Sequence, residues 1–427
     1  MVNKKYFIII YGCQMNKSDS ERVAAILEKI GYQPAESEKR ADLVVLVACS
    51  VRQAAVDRLY GKARALAKLK IKNEKLKIVL TGCVLPQDKK KFVDKFDLVL
   101  DLKQVTDLEK FKDYCQSLHE HYFKIEPRYT DKYRAFVPIM TGCNNFCSYC
   151  AVPYVRGREV SRPVAEVLTE VKKLAANGCL EVTLLGQNVN AYKPKDSPLE
   201  KDCPYKNPFA ALLWEVNKIP GVERIFFTAP HPKDMSDEVI DVLTLPKMVN
   251  YLHLPLQAGD DMVLRKMNRS YTAADYLKLA KKIRKKKPGI TLGTDIIVGF
   301  PGETKKAFQN TVELYKKVDF DIAYLAMYSP RQGTAAAKMK DDVSRNEKKR
   351  RWRVLQDLME KIVLRKNQQY VGKTVSVLVD KYKDGQCIGN SREMKMVRFP
   401  GKKKMVGKIF DVRIKKAFEW ILEGAVK

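Results

Sequence analysis

Three things are in short supply in this 427-residue sequence. Long apolar runs are the first: none approaches the eighteen or so residues that a helix needs to cross a bilayer, which excludes a helical membrane protein. Negative charge is the second, since 50 Asp plus Glu face 80 Lys plus Arg, a formal +30. So positive a chain points to a polyanionic partner, nucleic acid before a membrane surface. The third is a fourth ligand. Cys143, Cys147 and Cys150 stand as C-x3-C-x2-C in "TGCNNFCSYCAVPYVRGREVSRP", and no other Cys or His lies near; His119 and His121 are more than twenty residues upstream.

Structural zinc wants four ligands in a closed tetrahedron. Four irons bridged by sulfides offer another use for three thiolates, because one iron then keeps an open position for a small molecule. The start of the chain, "MVNKKYFIIIYGC", imitates a bacterial signal segment. Its apolar run from Tyr6 to Tyr11 is shorter than a typical signal core, however, and a polar "QMNKSDSE" follows. The expectation is a buried strand in a cytoplasmic protein, whose ten cysteines serve metal or redox chemistry rather than a disulfide framework.

The fold class expected is α/β, in three parts: residues 1–125, 133–365 and 366–427. In the first, "YFIIIY", "DLVVLVA", "LKIVLT" and "FDLVLDL" read as buried strands, with "DSERVAAILEKIGY" and "RQAAVDRLYGKARALAKLK" as crossover helices, an open and parallel α/β sheet. Cys13, Cys49 and Cys83 then follow the first three strands, each at the carboxyl end, where ligands of such sheets sit. The second part has six strands, "RAFVPIM", "EVTLLGQ", "RIFFTAP", "YLHLPLQ", "TDIIVGF" and "IAYLAMY", with helices between. That makes a partial (β/α)6 barrel, two units short of a closed one. Unusual residues again follow the strands: Cys143 to Cys150, Gln187 with Asn188, His231, Gln257, "GFPGET" and "SPRQG". Ser344 with Glu347 has the form of a capping box that opens a long basic helix. The third part is β-rich and carries fifteen Lys or Arg against six Asp or Glu, a net +9; a small all-β barrel of this charge is a common nucleic-acid platform.

The cysteine spacing, with Tyr149 before the last thiol and the first barrel strand ahead of it, resembles the radical S-adenosylmethionine superfamily. The resemblance implies that Cys143, Cys147 and Cys150 hold a [4Fe-4S] cluster whose open iron chelates S-adenosyl-L-methionine, and that an electron from the cluster cleaves the cofactor to a 5'-deoxyadenosyl radical. "YGCQMNKSDSE", "ACSVRQAA" and "TGCV" further resemble the N-terminal domain of the methylthiotransferases, which implies a second [4Fe-4S] cluster on Cys13, Cys49 and Cys83. "VPYVRGREVSRP", "LGQNVNAY", "HLPLQAGDDMVLRKMNRSYT" and "DIIVGFPGET" are similar to the MiaB branch, acting on N(6)-isopentenyladenosine in tRNA. The tail resembles the TRAM domain, an OB-like barrel of RNA-modifying enzymes. One departure is "VACSVR", where the family usually has "NTCSVR".

The resemblance covers nearly the whole chain and implies an enzyme that uses two S-adenosylmethionines to place a methylthio group on carbon 2 of the adenosine at position 37, beside the anticodon. Tyr149 is expected by the cofactor's adenine, Gln187 and Asn188 by its methionyl end. Arg156, Arg158 and Arg162 are expected at RNA phosphates or the cofactor carboxylate. Cys115, Cys179, Cys203 and Cys387 fit no ligand spacing. The partners implied are tRNA and an electron donor such as flavodoxin or ferredoxin, with no membrane. Alternatives are a methylthiotransferase acting on threonylcarbamoyladenosine tRNA or on a ribosomal protein aspartate, and an iron-sulfur RNA-binding protein without catalysis.

Overall fold

The computed structural model describes residues 4–49, 53–100, 119–195 and 202–427. Cys115, and Ser50 to Arg52 of the "VACSVR" segment, lie outside them. The N-terminal sheet comprises β1 (Lys5–Tyr11), β2 (Gln33–Pro34), β3 (Leu43–Cys49), β4 (Lys77–Cys83) and β5 (Leu98–Val99), in the order β2-β1-β3-β4-β5. Every pairing in it is parallel, as expected. β3 is central and buried on both faces, hence its unbroken apolar run "LVVLVA". Helices α1 (Gln14–Lys29), α2 (Gln53–Lys72) and α3 (Pro86–Phe92) connect the strands. α1 starts five residues before the expected "DSERVAAILEKIGY", with Cys13 as its N-cap, and stops before Gly31, whose φ of 92° breaks the helix. β2 was not anticipated: it is two residues long, and its proline is tolerated because it lies on the sheet edge.

After α4 (His119–Lys124), the barrel strands are β6 (Arg134–Pro138), β9 (Glu181–Leu185), β10 (Arg224–Phe227), β11 (Tyr251–His253), β12 (Thr291–Val298) and β13 (Ile322–Met327), the six segments expected. A small hairpin of β7 (Met140–Thr141) and β8 (Val160–Ser161) interrupts them around the C-x3-C-x2-C loop and α5 (Val152–Arg156). The six strands form two parallel three-stranded sheets, β10-β9-β6 and β11-β12-β13, bridged between Ile225 and Met248. Outer helices α6 (Val164–Ala176), α7 (Pro208–Lys218), α8 (Asp237–Asp241), α9 (Asp261–Lys266), α10 (Ala273–Lys286) and α11 (Lys305–Val318) follow. α12 (Arg345–Gln368) covers the open side beside β13, burying Leu355, Met359, Ile362 and Val363 in the barrel core. Ser344 caps it by accepting from the Glu347 N–H. Glu347 does not reciprocate as a full capping box would, because its carboxylate is held by Arg350 and Arg351.

The tail is a closed barrel of β14 (Thr374–Lys383), β15 (Gln386–Ser391), β16 (Met396–Pro400), β18 (Leu422–Val426) and β17 (Ile409–Ala417), in that order. It docks at the amino ends of the central strands. Arg224, at the start of β10, donates to the carbonyls of Asn390 and Ser376 at 2.8 and 2.7 Å. Arg134, at the start of β6, pairs with Asp380 at 2.6 Å. The N-terminal sheet docks at the other end: α1 lies against β6, and Arg331, following β13, donates to Gln53 at 2.6 Å and to the Asp88 carboxylate. Among the described residues, no helix is long and apolar enough to cross a membrane.

Candidate metal centres

The strand order places Cys13, Cys49 and Cys83 together. In a 2-1-3-4-5 sheet the crevice opens at the carboxyl ends of β1 and β3, where the winding reverses. Cys13 lies two residues past β1, while Cys49 and Cys83 end β3 and β4 as register partners. Gly82 makes this register possible: its φ is 111°, and a Cβ there would stand 2.3 Å from the Ala48 carbonyl oxygen. Asn16, one turn into α1, bridges Cys13 and Cys83. Its Oδ1 accepts from the Cys13 N–H at 3.3 Å, and its Nδ2 lies 3.8 Å from Cys83 Sγ. The thiol hydrogen bond with Cys49, then burial, raises the pKa of Cys83; burial, then the neighbouring Cys83, raises that of Cys13. Such thiols resist ionising together unless a cation takes their charge, and a coordinating metal removes the protons outright.

The second triad sits at the barrel's carboxyl end, in the loop between β7 and α5. Gly142, with φ 81°, turns the chain so tightly that a Cβ would stand 2.0 Å from the Arg158 carbonyl oxygen, and Cys143 N–H donates to the Gly157 carbonyl at 3.2 Å. Cys150 is pushed up to about 12, first by burial and then by Cys147 and Cys143. Arg269 donates to Cys147 Sγ at 3.4 Å and to the Tyr271 hydroxyl at 2.9 Å. Among the described residues no three His, Cys, Asp or Glu converge on one ion position. Cluster ligands stand apart because each thiolate takes a different iron.

The structure brings the remaining expected residues to the same barrel mouth. Tyr149 packs edge-on against Phe300 of "GFPGET", beside the cluster of Ala258, Val263, Leu264 and Met267. Gln187 and Asn188 follow β9. Asn188 Nδ2 donates to Asp234 at 2.8 Å, while Gln187 Oε1 and Asn188 Oδ1 are buried with no partner among the described residues. Buried acceptors without donors are costly, and the amino group of a bound methionyl cofactor would supply donors. Three thiols in one loop and two orphaned acceptors beside them therefore fit the cluster and S-adenosylmethionine that the sequence implied. Glu159, beside them, is raised to about 7 by burial and then by Asp234.

The three arginines expected at RNA or cofactor divide. Arg162 is committed internally, to Glu166 at 3.2 Å and to Glu170, and Arg156 pairs with Asp19 at 2.6 Å. Arg158 alone stays exposed, over the Phe146 ring at 4.4 Å. Two further residues had no signal of their own in the sequence, Asn16 and Arg269 on the thiols; His231, expected after its strand, lies at the same mouth. His231 is buried, exchanges hydrogen bonds with Asn190 through its backbone, and is lowered to about 2 by burial, Arg269 and Lys233. Asn16 could have been suspected as a polar residue at the third position after an N-cap.

Family models match all three parts: an uncharacterised protein family, UPF0004, over residues 5–102, the Radical SAM superfamily over 137–315 and the TRAM domain over 368–427. A tRNA-2-methylthio-N(6)-dimethylallyladenosine synthase from Clostridium novyi (strain NT) is 42% identical over 444 residues, covering 99% of this chain and 97% of that one. A synthase of the same name from Carboxydothermus hydrogenoformans is 41% identical over 446 residues, covering 100% of both. The chain belongs to this tRNA methylthiotransferase family. Among solved structures, the radical S-adenosylmethionine methyltransferase TsrM from Kitasatospora setae superposes with a TM-score of 0.55 at 14% identity, over 79% of this chain and 74% of that one. The cobalamin-dependent S-adenosylmethionine radical enzyme OxsB superposes with a TM-score of 0.53 at 11% identity, over 85% and 56%. At these identities the likeness is one of fold. The methylthiotransferase is thus a radical S-adenosylmethionine enzyme of three domains, the class the cysteine spacing and the sheet pattern had indicated.

Proposed function

We propose that this methylthiotransferase is a tRNA-2-methylthio-N(6)-dimethylallyladenosine synthase, which places a methylthio group on carbon 2 of N(6)-isopentenyladenosine at position 37 of tRNA and consumes two S-adenosylmethionines. The observation that carries this reading is similarity along the whole chain to relatives of that name, together with two thiol triads on domain ends that face each other. Cys143, Cys147 and Cys150 hold the cofactor-cleaving cluster in this reading, and Cys13, Cys49 and Cys83 a second one that carries or supplies sulfur. Three thiolates would leave one iron of a bound four-iron cluster open to the cofactor, and the cluster would supply the electron for splitting the sulfonium bond.

The protein's own groups bind and orient. Gln187 Oε1 and Asn188 Oδ1 would accept from the cofactor's amino group, Asn188 being fixed by Asp234. Tyr149, set by Phe300, walls the adenine side. Arg269 holds Cys147 and, through Tyr271, the carbonyl of Leu256, so the ligand loop is tied to the barrel wall. The lysines at 402, 403 and 404 are exposed on the tail barrel, free to meet RNA phosphates. Work on tRNA places the enzyme in the cytoplasm, with a flavodoxin- or ferredoxin-like protein as electron donor. The test is mass spectrometry of tRNA nucleosides from cells lacking the gene. Loss of the methylthio mark with the isopentenyl mark intact is expected; an unchanged methylthio level would overturn the assignment.

A further inference from the structure

Arg156 belongs to one metal centre by its backbone and to the other by its side chain. It ends α5, a helix that begins two residues after Cys150, and the next residue, Gly157, accepts the Cys143 N–H through its carbonyl. Both flanks of Arg156 are therefore fixed by the barrel triad. Its guanidinium crosses to the N-terminal domain, where Nε donates to Cys83 Sγ at 3.0 Å and Nη2 to Asp19 Oδ2 at 2.6 Å. Asp19 is in turn held by the Tyr122 hydroxyl at 2.7 Å and by Asn16 Nδ2 at 3.3 Å, so the arginine is locked from behind. The residue is only 5% exposed, yet Nη1 has no partner among the described residues. A buried guanidinium with one donor on a thiol and another left over is a costly arrangement unless an acceptor arrives.

We propose that Arg156 is a positioning residue for the auxiliary centre: it holds Cys83 and, through Nη1, a sulfur atom of whatever occupies the Cys13, Cys49 and Cys83 triad, and its charge sets how readily that centre accepts an electron. The inference rests on the two-cluster reading above. Hydrogen bonds to cluster sulfurs and nearby positive charge favour the reduced, more negative state and so raise its potential. Asp19 acts in the opposite sense, because its carboxylate partly cancels the arginine. The same side chain also ties the auxiliary centre to the loop of the radical triad, so the two centres keep a fixed spacing.

The test uses full-length protein carrying Cys143→Ala, Cys147→Ala and Cys150→Ala, reconstituted anaerobically with iron and sulfide so that only the auxiliary triad is loaded. Dithionite titration followed by electron paramagnetic resonance reads the midpoint potential in this background and after adding Arg156→Gln, Arg156→Lys or Asp19→Asn. With Arg156→Gln, the reduced-to-oxidised ratio at a fixed potential is expected to fall at least tenfold, a shift of about 59 mV for one electron. Arg156→Lys should shift the same way by less, since it keeps the charge and loses the fork; Asp19→Asn should shift the opposite way. A purely structural ion pair would move the Gln and Asn variants in the same direction, and that result overturns the proposal. So does an unmoved potential with iron content intact. Should the Gln variant fail to load iron, the signs of the Lys and Asn shifts decide in the same way. A parent protein that binds no iron at all refutes the two-cluster reading and the proposal with it, whereas iron present with unmoved potentials refutes Arg156 alone.

Discussion

The two triads offer three thiols each, but one is built from a single loop and the other from three strand ends. Cys143, Cys147 and Cys150 are set by a tight turn at Gly142 and a one-turn helix, and the loop is braced from the barrel wall by Arg269 and by the Lys266 and Met267 carbonyls. Cys13, Cys49 and Cys83 come together only when β1, β3 and β4 align in register. The difference teaches where each centre is vulnerable. The loop triad depends on one turn and on the wall residues beside it, whereas the strand-end triad depends on the N-terminal sheet and on its docking to the barrel.

The sharpest break in this comparison is chemical. Replacing Cys143, Cys147 and Cys150 together with alanine should halve the bound iron and abolish 5'-deoxyadenosine formation, as measured by iron analysis and chromatography after anaerobic reconstitution. Unchanged iron would show that other ligands hold the cluster. Replacing Cys13, Cys49 and Cys83 should also halve the iron while 5'-deoxyadenosine still forms, uncoupled from any methylthio product. Product at the normal rate would remove those cysteines from sulfur transfer.

A smaller effect is expected where the domains meet. Arg331 and Asp88 form a buried pair across the interface, at 7% and 4% side-chain exposure. Arg331→Ala leaves Asp88 buried without its partner, which costs about 3–5 kcal/mol. Urea unfolding should show this loss, and Arg331→Met with Asp88→Leu should recover much of it; equal losses for the single and double variants would mean that the pair does not dock the domains.

The smallest effect, taken over one pH unit, concerns the barrel side alone. His231 is held neutral in the folded protein, with its pKa lowered to about 2 by burial and by Arg269 and Lys233. In the unfolded chain it protonates near 6.5. The unfolded state therefore takes up a proton that the folded state does not, and stability falls as pH drops below about 6.5, by up to about 1.4 kcal/mol per unit. His231→Gln should flatten that part of the stability profile in metal-free protein, measured by urea unfolding at several pH values. An identical slope would place the acid sensitivity elsewhere.

How much of this was legible in the sequence follows the same division. The C-x3-C-x2-C loop and the six barrel strands are local patterns, and they were readable as such. The strand-end triad was readable because each cysteine closes an apolar run. The polar side of α1 was not. Asn16, Ser18, Asp19, Glu21 and Arg22 would form a solvated face on an ordinary surface helix, but α1 lies between the sheet and β6, and all five are buried. Arg156 was misread for the same reason: its partners Cys83 and Asp19 are 73 and 137 residues away in sequence. No periodicity records contacts of that kind.

The long helix α12 has a consequence for the substrate. Its first turns meet Glu303 at the barrel's cysteine end, through Arg351 at 2.7 Å, and its last, through Asn367, meets the Phe418 carbonyl of the tail barrel at 2.7 Å. Twenty-four residues at 1.5 Å each make a strut of about 36 Å. An RNA gripped by the tail and modified at the cysteine end must be long and stiff enough to bridge that gap, so the helix acts as a ruler. A tRNA could satisfy both contacts at once across that distance, whereas a free nucleoside is too short to reach the tail from the cysteine end.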